Sequence, residues 1–346
     1  MKLSRRYLLA STAVASVAAA GFWEVRCRRR GAPEPEPPWP TTRPEGVPLS
    51  AFNATSTAEQ VTAGLDLSGR TIMVTGATSG IGHETMRVLA LRGAHVIGTG
   101  RSLEKARVAC ASIYGRTTPL ALELTDFDGV VACAERVREL GVSLDGLICN
   151  AGVMGLRRLE QVQGIEKQFA TNHVGHFLLT RRLLDLLIAA PQGRVTVVSS
   201  YVMNWSEPSG IEWKNLSGER LYHPDRAYGQ SKLANALFAV ELARRLKGTR
   251  VTANSLEPGY VETGLFRHYP ISLTGFRGLL AGKRMTVAQG AATSCYLASA
   301  PVLASVSGYH FAYCNPLVPI PRARDPDAAE RLWNTSTELL KHYLAS

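Results

Sequence analysis

The chain has no Cys-x-x-Cys pair, and none of its six cysteines (27, 110, 133, 149, 295 and 314) has a histidine partner at metal-ligand spacing. That absence removes zinc-module readings, and no metal is expected. Most of these cysteines sit in apolar runs, which predicts buried thiols and folding in a reducing compartment. Basic runs with interleaved aromatics are also missing. Of the formal net charge of +11, residues 1–30 supply seven Lys/Arg against Glu24, a local +6, so the rest of the chain carries only +5. A nucleic-acid partner is therefore not expected. No internal repeat and no second globular domain is visible. Disorder is not the expected state of a chain that is 45% apolar with 31 glycines in 346 residues, ordinary for a protein with a sizeable core.

What is present begins with MKLSRRYLLASTAVASVAAAGFW, a basic start followed by an uncharged stretch from Tyr7 to Trp23. That length is short for a membrane span and long for a signal-peptide core. The stretch Ser4-Arg5-Arg6-Tyr7-Leu8-Leu9 resembles a twin-arginine export signal, and Ala18-Ala19-Ala20 could be cut. Arg26 and Arg28 to Arg30 follow directly, as behind a retained anchor. Residues 1–30 are thus expected to hold the protein at a membrane, with an exported, cleaved form as the alternative. The run GAPEPEPPWPTTRPEGVP has seven prolines between positions 33 and 48, which favours extended polyproline over helix or sheet. Residues 31–49 therefore read as a linker, and 50–346 as one catalytic domain.

From about residue 66, short apolar runs alternate with helical periods. TIMVTG (71–76), AHVIGTG (94–100), TPLALELT, LDGLICN, GRVTVVSS, RVTANSLEP and SGYHFAY read as strands. Between them lie helical stretches at 81–93, 102–114 and 127–140, one ending near Ala190, one carrying Tyr228, and one near 286–299. Residues 325–343 read as an amphipathic C-terminal helix. Parallel strands need crossover connections, so the pattern predicts an α/β, doubly wound, three-layer parallel sheet of Rossmann type.

The first strand runs into TGATSGIG (75–82). Its glycines, Gly76, Gly80 and Gly82, would let the backbone turn sharply and approach a pyrophosphate at the N-terminus of the next helix. The second strand ends Gly98-Thr99-Gly100-Arg101-Ser102, with an arginine and no carboxylate. A guanidinium can fork onto a ribose 2′-phosphate that a carboxylate would repel, so NADP(H) is expected over NAD(H). The bland alternative is that Arg101 only solvates a helix start. Further on, Tyr228 and Lys232 stand four apart in RAYGQSKLAN, on one helical face.

Six ordered motifs give the chain its resemblance: TGATSGIG (75–82), CNAG (149–152), TNHVGHF (171–177), VVSS (197–200), YGQSK (228–232) and EPGYVET (257–263). Together they resemble the short-chain dehydrogenase/reductase family. The entry at 51–69 and the tail look like its retinol-dehydrogenase-like and WW-domain-oxidoreductase-like branch. The resemblance implies that Tyr228 exchanges a proton with the substrate oxygen, and that Lys232 lowers the phenol pKa and holds the nicotinamide ribose. Ser200 would hydrogen-bond the substrate carbonyl, with Ser199 as the competing assignment. Asn172 would anchor a water joining the lysine to solvent; its alternative is a purely structural hydrogen bond at a helix kink.

For the cofactor, the resemblance implies Gly76, Ser79, Gly80, Ile81 and Gly82 at the pyrophosphate turn, Arg101 at the ribose, and Glu123 and Leu124 near the adenine. Asn150, Ala151 and Gly152 would line the adenosine side, and Pro258, Gly259 and Thr263 would close over the nicotinamide and pyrophosphate. Glu123 stands where the family usually has Asp, and Glu257 where this branch often has His. The insertion between Ser200 and Tyr228 contains Trp205, Ile211, Trp213 and Leu216, which form either a substrate-pocket wall or a small core of their own. Residues 264–285 mix Leu, Phe and Tyr with basic residues. The family's substrate lid lies there, which suits a lipophilic carbonyl or alcohol substrate, although a homo-oligomer contact would look the same. The expected activity is hydride transfer between nicotinamide and a carbonyl or alcohol. The alternative is a membrane-tethered NADP(H) sensor or scaffold without turnover.

Overall fold

The computed structural model describes residues 42–261, 263–265 and 284–345. The chain divides into two compact units, residues 1–40 and 41–346. The expected anchor and most of the expected lid lie outside the described residues, and no described helix is long and apolar enough to cross a membrane.

The second unit is built on an eight-stranded sheet. Its strands are β1 (Thr71–Val74), β2 (His95–Gly100), β3 (Thr117–Ala121), β4 (Gly146–Cys149), β5 (Arg194–Val198), β6 (Thr252–Glu257), β7 (His310–Ala312) and β8 (Asn315–Leu317). In space the order is β8-β7-β6-β5-β4-β1-β2-β3. All pairings are parallel except β7 with β8, which is antiparallel. The expected doubly wound sheet is therefore present, with one added edge strand. β8 is missing from the apolar pattern because it is three residues long with Pro316 at its centre. It is reached through Tyr313 and Cys314, both at positive φ (52° and 62°), a two-residue turn that twists with the strands it joins.

The strands are buried on both faces, which explains their continuous apolar runs. Side chains alternate between two cores: Met73, Leu147 and Val195 enter one, while Ile72, Val74 and Ile148 enter the other. The second core is covered by α1 (Gly80–Leu91), α2 (Leu103–Ala111) and α6 (Ala292–Ser299). The first is covered by α3 (Phe127–Glu139), α4 (Gly175–Ala189), α5 (Pro224–Arg245) and α7 (Pro326–Leu339). Sheet and two helical faces make three layers.

Local chemistry sets several of these boundaries. Asp126 accepts from the Gly129 amide to cap α3, and Asp325 accepts from Asp327 and Ala328 to cap α7. Pro224 opens α5 at a position where the missing N–H costs nothing. The C-terminal helix is pinned by Trp333, whose ring meets Phe177 edge-on at 5.0 Å between the arginines Arg245 (4.4 Å) and Arg181 (5.1 Å). Residues after Thr42 also dock: the Thr42 carbonyl accepts from Val318, and Val47 is buried.

Candidate active site

The glycine turn between β1 and α1 is shaped as a cradle. Gly76 has φ +66°, and a Cβ there would lie 2.9 Å from Ala151 Cα. Gly80 has φ +58° and faces Thr263, whose Cγ2 would be 3.3 Å from an added Cβ. Gly82 packs so tightly that a Cβ would overlap the Gly76 carbonyl oxygen and the Asn150 side chain. These positions reject any side chain and leave backbone at the mouth of α1, where free N–H groups favour a phosphate. Ser79 is extended and exposed just before α1, with Ile81 half-buried inside its first turn. The donor set thus suits a dinucleotide.

Around this turn, Thr75 organises the end of β4. Its Oγ accepts the amides of Asn150 and Ala151, each at 2.9 Å, and Asn150 Nδ2 returns a bond to the Thr75 carbonyl at 2.8 Å. Gly152 follows, where a Cβ would approach Asn172 Oδ1 at 3.1 Å and Lys232 Nζ at 3.8 Å. Arg101 is exposed directly after β2. Leu124 is buried, whereas the Glu123 carboxylate folds back to accept from the Thr125 hydroxyl at 2.8 Å. Pro258 and Gly259 follow β6, with Gly259 at φ +81°.

Across the sheet, α5 is fastened to the end of β5. Lys232 Nζ and Asn235 Nδ2 both donate to the Val198 carbonyl at 3.0 Å. Ser199 Oγ donates to the Lys232 carbonyl at 2.6 Å and is buried. Ser200 instead is half-buried and starts the 3-10 turn Tyr201–Trp205, accepting from the Val202 amide at 3.4 Å. The neighbouring serines therefore differ in availability. One is committed to the scaffold, and the other is only partly covered.

Asn172 lies in a five-residue π-helical segment, Ala170–Val174, leading into α4. Its side chain is fully engaged: Oδ1 accepts from Val153 N at 2.8 Å, while Nδ2 donates to Val153 O at 3.0 Å and Ser231 Oγ at 2.9 Å. Ser231 passes the chain on to the Tyr228 carbonyl at 2.7 Å. The side chain thus braces, tying the Val153 backbone to Ser231 on α5.

Tyr228 is buried with Met154 and Val202, against Trp205 and Leu265. Burial pushes its phenol well above the ordinary range. Lys232 stands with Nζ 5.6 Å from the centre of the Tyr228 ring, and burial pulls it down to about 8. Glu257, at the end of β6, is raised to about 8 by burial, offset in part by the bond it accepts from the Tyr201 amide. In the 201–225 insertion, Val202 belongs to this cluster and Trp205 packs against it. Ile211 belongs to the main core, with Trp213 and Leu216 packed against it.

The short chain dehydrogenase profile matches residues 70–212. Short-chain dehydrogenase TIC 32 A, chloroplastic, from Brassica napus is 38% identical over 84% of this chain and 95% of its own length. Such identity over nearly a whole relative decides the matter. The chain belongs to the short-chain dehydrogenase/reductase family. Within that family it is retinol-dehydrogenase-like: retinol dehydrogenase 12 from Bos taurus is 40% identical, covering 80% of this chain and 88% of that one. A crystal structure of an uncharacterized protein from Mycobacterium Paratuberculosis has 35% identity and a TM-score of 0.65, covering 81% of this chain and 97% of that one. Membership makes the protein an oxidoreductase acting on CH–OH or C=O groups with a nicotinamide cofactor.

Relative to the family motifs, the residues not anticipated are Ser231, Asn235, Thr75 and Gly229. Ser231 and Asn235 stand four apart, a spacing visible in YGQSKLAN, but their partners are on other elements. An added Cβ on Gly229 would press on the Val202 carbonyl at 2.7 Å, so this glycine sets how closely α5 approaches the Ser200 turn.

Proposed function

We propose that this protein is an NADP(H)-dependent reductase or dehydrogenase of lipophilic carbonyls or alcohols, held at a membrane by residues 1–30. The observation that carries the reading is Tyr228, buried in an apolar wall of Met154, Val202 and Trp205 with the Lys232 ammonium beside it. An apolar wall favours a substrate with hydrocarbon next to its reacting oxygen.

Gly76, Gly80 and Gly82 would seat the pyrophosphate, Arg101 the 2′-phosphate, and Asn150, Ala151 and Gly152 the adenosine side. Ser79, Ile81, Glu123, Leu124, Pro258, Gly259 and Thr263 complete the contact surface. When bound, the cofactor supplies or takes the hydride. The chain's own residues manage the proton and the oxygen. Ser200 donates its hydroxyl to the substrate oxygen, and Tyr228, protonated by virtue of its burial, gives up its proton as charge grows there. Lys232 is cationic below about pH 8 and stabilises the phenolate left behind. The Asn172 carbonyl would hold a water through which Lys232 exchanges protons with solvent.

The test is NADPH oxidation by the full chain against all-trans-retinal, decanal and a benzoquinone, with product mass spectrometry. The reading expects turnover of the lipophilic aldehydes and a loss of about 10²- to 10⁴-fold in Tyr228→Phe. Equal turnover by Tyr228→Phe would overturn the assignment of the acid. Binding of NADPH without turnover of any of the three would favour a sensor.

A further inference from the structure

The Asn172 carbonyl is not left to the helix alone. His176, one turn further on, places Nδ1 2.9 Å from it and Nε2 2.8 Å from Thr75 Oγ, just past the end of β1 and 101 residues away in sequence. A carbonyl only accepts, so Nδ1 carries the hydrogen and Nε2 offers a lone pair. The Thr75 hydroxyl then has a single consistent arrangement. Its oxygen accepts the Asn150 and Ala151 amides, and its hydrogen points to Nε2 at 2.8 Å rather than to the Ile148 carbonyl at 3.3 Å. Every donor in this network has an acceptor. The imidazole is 1% exposed, and a second proton on it would leave Nε2 facing no acceptor.

We propose that His176 is a positioning residue, an Nδ1–H tautomer that fixes the Asn172 main-chain carbonyl and ties it through Thr75 to the backbone of Asn150 and Ala151. The inference rests on the proposed reading of the site, in which that carbonyl serves the proton path of Lys232. It adds that the carbonyl's direction is set from the cofactor side of the sheet. The ionisable groups facing the ring are Lys232 from α5 and His173 from the preceding turn. Burial, with Lys232 adding to it, holds His176 at about 4, so the tautomer persists through neutral pH.

The experiment begins with the wild-type full chain. A long-range ¹H–¹⁵N spectrum between pH 6 and 9 should show one histidine in the Nδ1–H form that does not titrate, and whose signal vanishes in His176→Gln. An Nε2–H signal, or titration in that window, from the ring whose signal is lost in His176→Gln or His176→Asn overturns the proposal. Turnover with NADPH and decanal then separates the two ends of the ring. His176→Gln places its amide where Nε2 was and loses the donor to Asn172, so kcat should fall about ten-fold while the NADPH Kd stays within about two-fold. His176→Asn places an N–H where Nδ1 was and should recover most of that kcat. Wild-type kcat in His176→Gln, or equal losses of kcat, NADPH affinity and melting temperature in both variants, would reduce the residue to packing and overturn the proposal. Tyr228→Phe is run in parallel. If it retains full activity the reading of the site fails, whereas the tautomer measurement stands independently.

Discussion

The two halves of the sheet solve different problems with different materials. On the β1–β3 side, the work is done by backbone, and side chains are removed to expose it: Gly76, Gly80 and Gly82 lie where a Cβ would collide or the φ is positive. On α4 and α5 and along β6 and β7, the work is done by ionisable groups taken out of water: His173, His176, Lys232, Glu257 and His310 are all buried. Binding a dianionic pyrophosphate needs many weak donors at fixed positions, which a backbone supplies. Moving a proton needs groups whose protonation is set by surroundings, which only burial and neighbours supply.

The contrast can be broken most forcefully with acid. Burial lowers His173 to about 3 and His176 and His310 to about 4, all from an ordinary 6.5. Below pH 6.5 the unfolded chain binds protons that the folded chain refuses, so stability falls as pH drops toward 4. The loss is on the order of 3 kcal/mol for each histidine. Thermal unfolding from pH 8 to 4 should show the decline. Hydrogen exchange at pH 5 should show α4 and β7 opening ahead of β1 and β2.

Next in size is Lys232→Met, which removes the charge beside Tyr228 and the bond to Val198. It should cut kcat about 10³-fold. The fold should survive, because a buried ammonium already costs desolvation, and a melting temperature within a few degrees of wild type is the check. Gly82→Ala attacks the other half. The new methyl meets the Gly76 carbonyl, and a cost of about 1–3 kcal/mol should weaken NADPH binding ten- to hundred-fold by calorimetry. At saturating NADPH its kcat should stay close to wild type. The smallest effect is expected from Arg101→Asp, which should shift the NADP+ to NAD+ preference about ten-fold toward NAD+; an unchanged ratio would remove Arg101 from recognition.

The same contrast decides what the sequence could disclose. The glycine turn is legible from TGATSGIG because glycine's reason for being there is local geometry. The strands and helices are legible because buried parallel strands are uniformly apolar and the helices keep their period. Ser200 is preferred over Ser199 in sequence through the family resemblance, whereas the bond that commits Ser199 to the scaffold runs to the Lys232 carbonyl, 33 residues away, and is not written in VVSS. The π-helical segment at Ala170–Val174 leaves the apolar periodicity of TNHVGHF almost intact, so it is silent in sequence although it carries Asn172. Trp213 and Leu216 were ambiguous between pocket and core, because an apolar residue in an insertion carries no address.

One small contact bears on the stretch of chain between β6 and α6. Val261 and Met285 form an isolated parallel bridge, and Met285 N donates to the Tyr260 carbonyl at 2.9 Å. The two points where the chain departs after β6 and rejoins before α6 are thereby clasped together. For a loop closed at its base, each doubling of length adds only about 0.6 kcal/mol of closure entropy. The number of residues between the two ends can therefore change at little thermodynamic cost to the sheet, whereas Thr263 and Leu265, just past the clasp, face Gly80 and the Tyr228 cluster and are bound to the site.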